Sequence, residues 1–167
     1  MPILEADTIE FISRNSDQTH RLGARLGAML EGGDLITLEG DLGSGKTVFA
    51  QGIGEGWGST SSLISPTFVL IRQHERRADR MKLYHVDLYR LHSEAEAFGF
   101  GLEDLVGIPE AVCIVEWADR APALFPAERL VVGLRWLDDY RRSLTFRALG
   151  ARHSALLERF RKVLVGH

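Results

Sequence analysis

The run Gly40-Asp41-Leu42-Gly43-Ser44-Gly45-Lys46-Thr47 follows the apolar stretch Leu35-Ile36-Thr37-Leu38 directly, and it narrows what the chain can be more than any other segment. Glycines at 40, 43 and 45 open backbone conformations closed to other residues and let N–H groups come close to phosphate oxygens. Lys46 adds a mobile positive charge at the outer phosphates, and the Thr47 hydroxyl is placed to ligate Mg²⁺. A helix opening at about Lys46 directs its positive end at the same anion. A Gly-rich turn between any strand and helix can share this string, so the flanks decide. A buried-type strand precedes it, and Val48, Phe49 and Ile53 behind it fall on one helical face. Binding of a nucleoside triphosphate follows.

The chain has 167 residues, 45% of them hydrophobic, enough for one domain with a full core over residues 1–167 and too short for two ordinary ones. A net charge of −3 argues against a protein that grips nucleic acid through a basic face of its own. Cys113 lies within the apolar run Ala111 to Val115 and reads as a small buried hydrophobe, and a single cysteine leaves no disulfide within the chain. The start, Met1-Pro2-Ile3-Leu4-Glu5-Ala6-Asp7, lacks the basic and apolar regions of a signal peptide, and no segment approaches the roughly 18 apolar residues of a membrane span. The expected location is the cytoplasm, with no membrane partner.

The pattern predicts an α/β fold with a mostly parallel sheet and antiparallel additions. Strands are expected at Thr8–Ser13, Leu35–Glu39, Thr67–His74, Lys82–Leu91, Ala111–Glu116, Leu130–Leu137 and Ser143–Leu149, with hairpins about the tips 75–80 and 138–141. Ser16 is expected to cap a helix carrying Leu22, Leu26, Met29 and Leu30 and ending at Gly32-Gly33. The helix behind the phosphate loop is expected to stop near Gly52, Gly54, Gly56 and Gly58. Short helical turns at Ser93–Phe98 and Leu102–Leu105 precede a C-terminal helix that buries Leu156, Phe160, Val163 and Leu164.

A nucleotide loop calls for carboxylates at neighbouring strand ends, to hold Mg²⁺ and orient the attacking group. Glu116 ends the buried run Ala111–Val115, at the strand edge where ligands of open α/β sheets collect. Asp87 sits between apolar neighbours in Leu83–Tyr89, where an unpartnered acid is costly. It reads either as a working carboxylate or as a structural partner of Arg90 or His85, and spacing ranks neither acid above the other as metal ligand. Ser65 and Thr67 in Ser65-Pro66-Thr67-Phe68 supply hydroxyls suited to a segment that orders around a γ-phosphate; the same residues also suit a turn entering a strand. Trp117 reads as a core or nucleotide-adjacent aromatic and His85 as an interior histidine. Arg76, Arg77 and Arg80 form either a kinase-like lid or a solvated hairpin tip.

Taken together, the phosphate loop, Ser65-Pro66-Thr67-Phe68, Tyr84-His85-Val86-Asp87-Leu88-Tyr89-Arg90-Leu91 and Val115-Glu116-Trp117 resemble, in order and spacing, the bacterial TsaE (YjeE) ATPases. The resemblance implies a P-loop NTPase-like three-layer fold and a weak ATPase using ATP and Mg²⁺. Its function would be threonylcarbamoyladenosine modification of adenosine 37 in tRNAs reading codons that begin with A. It implies docking on a TsaD–TsaB-type complex that activates the ATPase and holds the tRNA, which this chain would meet only indirectly. Residue by residue, it implies that Leu42, Gly43, Ser44, Gly45, Lys46 and Thr47 hold the phosphates and Thr47 the metal. Glu116 would be the Walker B carboxylate, for metal and hydrolysis. Asp87, Ser65 and Thr67 would belong to switch-like elements, and Ser16 with Tyr140 or Arg141 would approach the adenosine. Ser44 stands where the family commonly has Ala, a change that backbone contacts tolerate.

Lys46, Glu116 and Asp87 are therefore the expected catalytic residues. Two other readings of the same loop remain: a small-molecule kinase, which needs an acceptor pocket and an arginine-bearing lid, and a nucleotide sensor that works by binding alone. The Asn-Lys-x-Asp signature that many GTPases use for guanine is absent from the sequence.

Overall fold

The computed structural model describes residues 7–64 and 71–165; Ser65, Pro66, Thr67 and Phe68 lie outside the described residues. One seven-stranded sheet organises the chain, with spatial order β1-β7-β6-β2-β5-β4-β3. Its strands are β1 (Thr8–Ser13), β2 (Leu35–Glu39), β3 (Ile71–Glu75), β4 (Lys82–Asp87), β5 (Ala111–Glu116), β6 (Arg129–Trp136) and β7 (Arg142–Leu149). β6, β2, β5 and β4 form a central parallel block, and β1, β7 and β3 add antiparallel ladders at its flanks. The antiparallel additions thus supply as many pairings as the parallel centre. Every residue of β5 is buried, as expected of a strand covered on both faces.

The helices are α1 (Ser16–Gly27), α2 (Lys46–Trp57), α3 (Glu94–Phe98) and α4 (Ala151–Val165). α1, α2 and α4 share one sheet face and pack Leu22, Leu26, Phe49, Ile53, Leu156 and Phe160 against Ile36, Leu38, Ile114, Val132 and Phe146. Phe49, Phe146 and Phe160 are fully buried and stack with centroid distances of 5.9 and 5.0 Å. Complete burial of side chains this size contributes about 1.5–3 kcal/mol each. Among the described residues the opposite face is covered over β2, β4 and β5, with Ile71 of β3 at the margin, by α3, the turn Leu102–Asp104 and the stretch 118–125. The third layer is thin, and Arg135, Thr145, Arg147 and Glu10 stay exposed.

α1 and α2 meet with their backbones nearly touching. A Cβ at Gly23 would overlap the Phe49 carbonyl, one at Gly27 the Ile53 carbonyl, one at Gly52 the His20 carbonyl and one at Gly56 the Ala24 carbonyl. The glycines expected to stop the second helix instead lie inside it as a packing surface, and only Gly58, at φ 97°, ends it. Two expectations for α1 also change. Its cap is Asn15, whose Oδ1 accepts from the Gln18 N–H at 2.8 Å, leaving Ser16 as the first helical residue. The helix closes at Gly27, before Met29 and Leu30, although Leu30 is still buried. No described helix is long and apolar enough to cross a membrane.

Candidate functional site

The phosphate loop leaves the carboxyl end of β2 and enters α2 at the parallel centre of the sheet, with β5 and β6 on either side of β2. Gly40, Gly43 and Gly45 have φ of 141°, 80° and 103°. At Gly43 an added Cβ would meet nothing within 4 Å, so there glycine serves conformation and not packing. Gly45 is the N-cap of α2, and no side chain caps the helix. The first turn of the helix, whose N–H groups are the ones a bound anion can answer, therefore opens at the mouth of the loop.

Lys46 closes this loop on itself. Its Nζ donates to the Gly40 carbonyl, to the Asp41 carbonyl at 2.9 Å and to Ser44 Oγ at 3.4 Å, and it stands 4.3 Å from the Trp117 ring centroid. Burial lowers the proton affinity of the amine, and Glu116, Asp41, Asp87 and Asp119 work in the opposite direction. Ser44, itself buried, thus supplies an acceptor that an alanine in its place would lack.

Asp87 and Glu116 end neighbouring parallel strands as a register pair. Asp87 is half-buried and its Oδ1 accepts from the Tyr89 N–H at 2.9 Å. Burial raises its carboxyl above the usual range, opposed by the Tyr89 N–H, and the Glu116 charge adds to the rise. Glu116 is only 2% exposed and its Oε2 lies 2.7 Å from His85 Nε2. Of the two partners weighed for Asp87, His85 therefore pairs with the other acid. Trp117 takes a left-handed backbone, φ 61°, which costs a bulky residue free energy. Its ring meets Tyr89 at 5.1 Å, with the Arg120 guanidinium 5.4 Å from the ring.

These groups surround a cleft of about 410 Å³ lined by Leu42, Gly43, Gly45, Lys46, Thr47, Asp87, Tyr89, Arg90, Glu116, Trp117 and Arg142. A smaller hollow of about 150 Å³ adjoins it through Gly45, Val48 and Arg142 and is lined by Asn15, Ser16, Thr19, Asp139 and Tyr140. Ser16 and Tyr140 thus stand together at one end of the site. Arg141 does not line the hollow: Asp138 holds its guanidinium at 2.7 Å in the turn, and Arg142 is the arginine common to both cavities. The hairpin tip with Arg76, Arg77 and Arg80 lies far off. β4 runs from that tip toward the site, and Arg76 is bound to Asp79 and to the Trp57 carbonyl at the distant end of α2, about 18 Å along the helix. Sequence reasoning did not select Arg142, Tyr89 or the His85–Glu116 bond; the alternation of β7 was the available signal for Arg142.

The donor chemistry suits a nucleoside polyphosphate with Mg²⁺: an uncapped helix N-terminus and a lysine for the anion, hydroxyl and carboxylate oxygens for a hard cation. Sheet, loop and helix together are those of the P-loop class of nucleotide-binding proteins. The profile of the threonylcarbamoyl adenosine biosynthesis protein TsaE family matches residues 13–144. The Bacillus subtilis tRNA threonylcarbamoyladenosine biosynthesis protein TsaE is 38% identical over 144 residues, 86% of this chain and 88% of that protein. The Streptomyces coelicolor protein of the same name is 43% identical over 112 residues, 65% of this chain and 73% of that protein. The crystal structure of Bacillus subtilis YdiB superimposes with a TM-score of 0.73 at 32% identity, covering 93% of this chain and 95% of that one. The chain belongs to the TsaE family.

Proposed function

We propose that this protein is the ATP-binding and hydrolysing subunit for threonylcarbamoyladenosine modification of tRNA, acting in the cytoplasm on a TsaD–TsaB-type complex that holds the tRNA. The observation that carries the reading is the juxtaposition at the end of the parallel block: an uncapped helix N-terminus and Lys46 on one side, the register pair Asp87 and Glu116 on the other. The family supports the modification pathway. The distance of the Arg76–Arg80 tip from the loop speaks against a lid of the kinase type.

In this reading ATP places its phosphates over the N–H groups of residues 43–47. Lys46 then exchanges the carbonyls of Gly40 and Asp41 for phosphate oxygens, and its charge meets the negative charge that builds during transfer. Thr47 and Glu116 would hold Mg²⁺, which neutralises phosphate charge when bound. Asp87, a half-buried carboxylate with raised proton affinity, is the group suited to orient a water and take its proton. Ser16, Tyr140 and Arg142 form the adenosine end. Hydrolysis would change the partner surface. Titration of the Lys46→Ala variant with a fluorescent ATP analogue tests the site: triphosphate binding is expected to be lost, and unchanged affinity would overturn the assignment.

A further inference from the structure

β3, β4 and β5 carry a line of polar groups through the sheet face that is otherwise packed with hydrophobic side chains under α1 and α2. His74 pairs with Leu83 and His85 with Arg72, so the two histidines are diagonal neighbours on one face. His85 is also opposite Ile114, two residues before Glu116, which places that acid next on the diagonal. Ser61 Oγ lies 2.8 Å from His74 Nδ1, and His85 Nε2 lies 2.7 Å from Glu116 Oε2. His74, His85 and Glu116 are 4%, 0% and 2% exposed.

We infer that His85 is a positioning residue that fixes the Glu116 carboxylate through an Nε2–H bond from within the sheet. A glutamate ending a strand has three rotatable side-chain bonds, and holding it toward a phosphate loop needs an immobile donor. His85 is such a donor: it is fully buried, and its backbone is laddered on both sides by β3 and β5. Its Nδ1 is buried with no partner among the described residues. A ring that donates through Nε2 and leaves Nδ1 bare avoids burying a second, unanswered N–H. Glu116 is then held on one side while it still lines the cleft that contains Lys46 and Thr47.

The inference rests on Glu116 working in ATP hydrolysis, and its test separates the two claims. In the wild-type chain, the ¹⁵N NMR signature of the His85 ring should be that of Nε2–H with bare Nδ1; the reverse tautomer would overturn the inference. Partner-stimulated hydrolysis and nucleotide affinity are then compared for His85→Leu, His85→Gln, Glu116→Gln and the Leu–Gln double variant. His85→Leu should lower kcat by about 10–100-fold while affinity for ATP without Mg²⁺ stays within about twofold. His85→Gln, which keeps an N–H near the Nε2 place, should recover most of the loss. Combined with Glu116→Gln, His85→Leu should add less than about twofold. Equal losses in the Leu and Gln variants, or losses that multiply with Glu116→Gln, would overturn the inference alone. Absence of any Glu116-dependent hydrolysis in the wild-type assembly would overturn the ATPase reading and this inference with it.

Discussion

The glycines of the phosphate loop and those of the α1–α2 contact use the same residue for opposite ends. At Gly43, with φ 80°, there is open space where a side chain would stand; glycine is there so that the backbone can turn and its N–H groups can face an anion. At Gly23, Gly27, Gly52 and Gly56 the backbone is ordinary helix, and what a side chain would meet is a carbonyl of the facing helix. The loop is open and the mount beneath it is tight. A phosphate site needs both, since donors left free to meet a ligand hold their aim only if the helix bearing them cannot shift.

The contrast breaks most visibly at Gly56. Gly56→Leu sets a side chain against the Ala24 backbone, which cannot yield as a flexible side chain would. We expect a loss of about 3 kcal/mol or more, a melting temperature lower by roughly 10 °C by calorimetry, and nucleotide affinity falling only as far as folding does. Gly43→Ala should do the reverse. It costs about 1–2 kcal/mol of left-handed strain with no overlap, so ATP affinity should fall more than stability in parallel titration and melting experiments.

Asp87→Asn sharpens the comparison from the side of the site. Burial raises the folded-state affinity of this carboxyl for a proton, so the ionised form is a cost to the fold at neutral pH, and its removal should raise the melting temperature slightly while hydrolysis falls. The smallest effect lies at the base of the sheet. His153 Nε2 accepts from the Leu35 N–H at 3.1 Å, and burial lowers its proton affinity, with Arg152 adding to this and Asp34 and Glu128 opposing it. The unfolded chain binds the proton first as pH falls, so stability should be constant above about pH 6.5, decline between there and the lower folded value, and then level off. Thermal melts from pH 7.5 to 5.5 should show the decline, and His153→Gln should flatten part of it.

How far the sequence reaches follows from the range over which each signal acts. The loop was legible because its residues are contiguous and their chemistry is local, and β1, β2 and β5 match their expected spans for the same reason. The α2 glycines carry the local pattern of a helix stop, and the partners on α1 that make them a packing surface are some 30 residues away. Asn15 displaced Ser16 as cap by one position, the usual margin where two capping residues adjoin. Arg141 stays in the turn, held by Asp138, while Arg142 opens β7 and lines both cavities; which of two adjacent arginines enters the strand is set by the β6–β7 register. His85 and Glu116 meet only because β4 and β5 pair in one register, which no local pattern encodes.

Under the proposed function, Glu116 and the phosphate loop make a partner-activated ATPase. The most direct measurement is ATP hydrolysis by the purified chain, alone and with a TsaD–TsaB pair and tRNA, for wild type and Glu116→Ala. Slow turnover alone, strong stimulation by the assembly and loss of that stimulation in the variant are the predicted result. Turnover indifferent to the assembly, or stimulation that survives in Glu116→Ala, would contradict it.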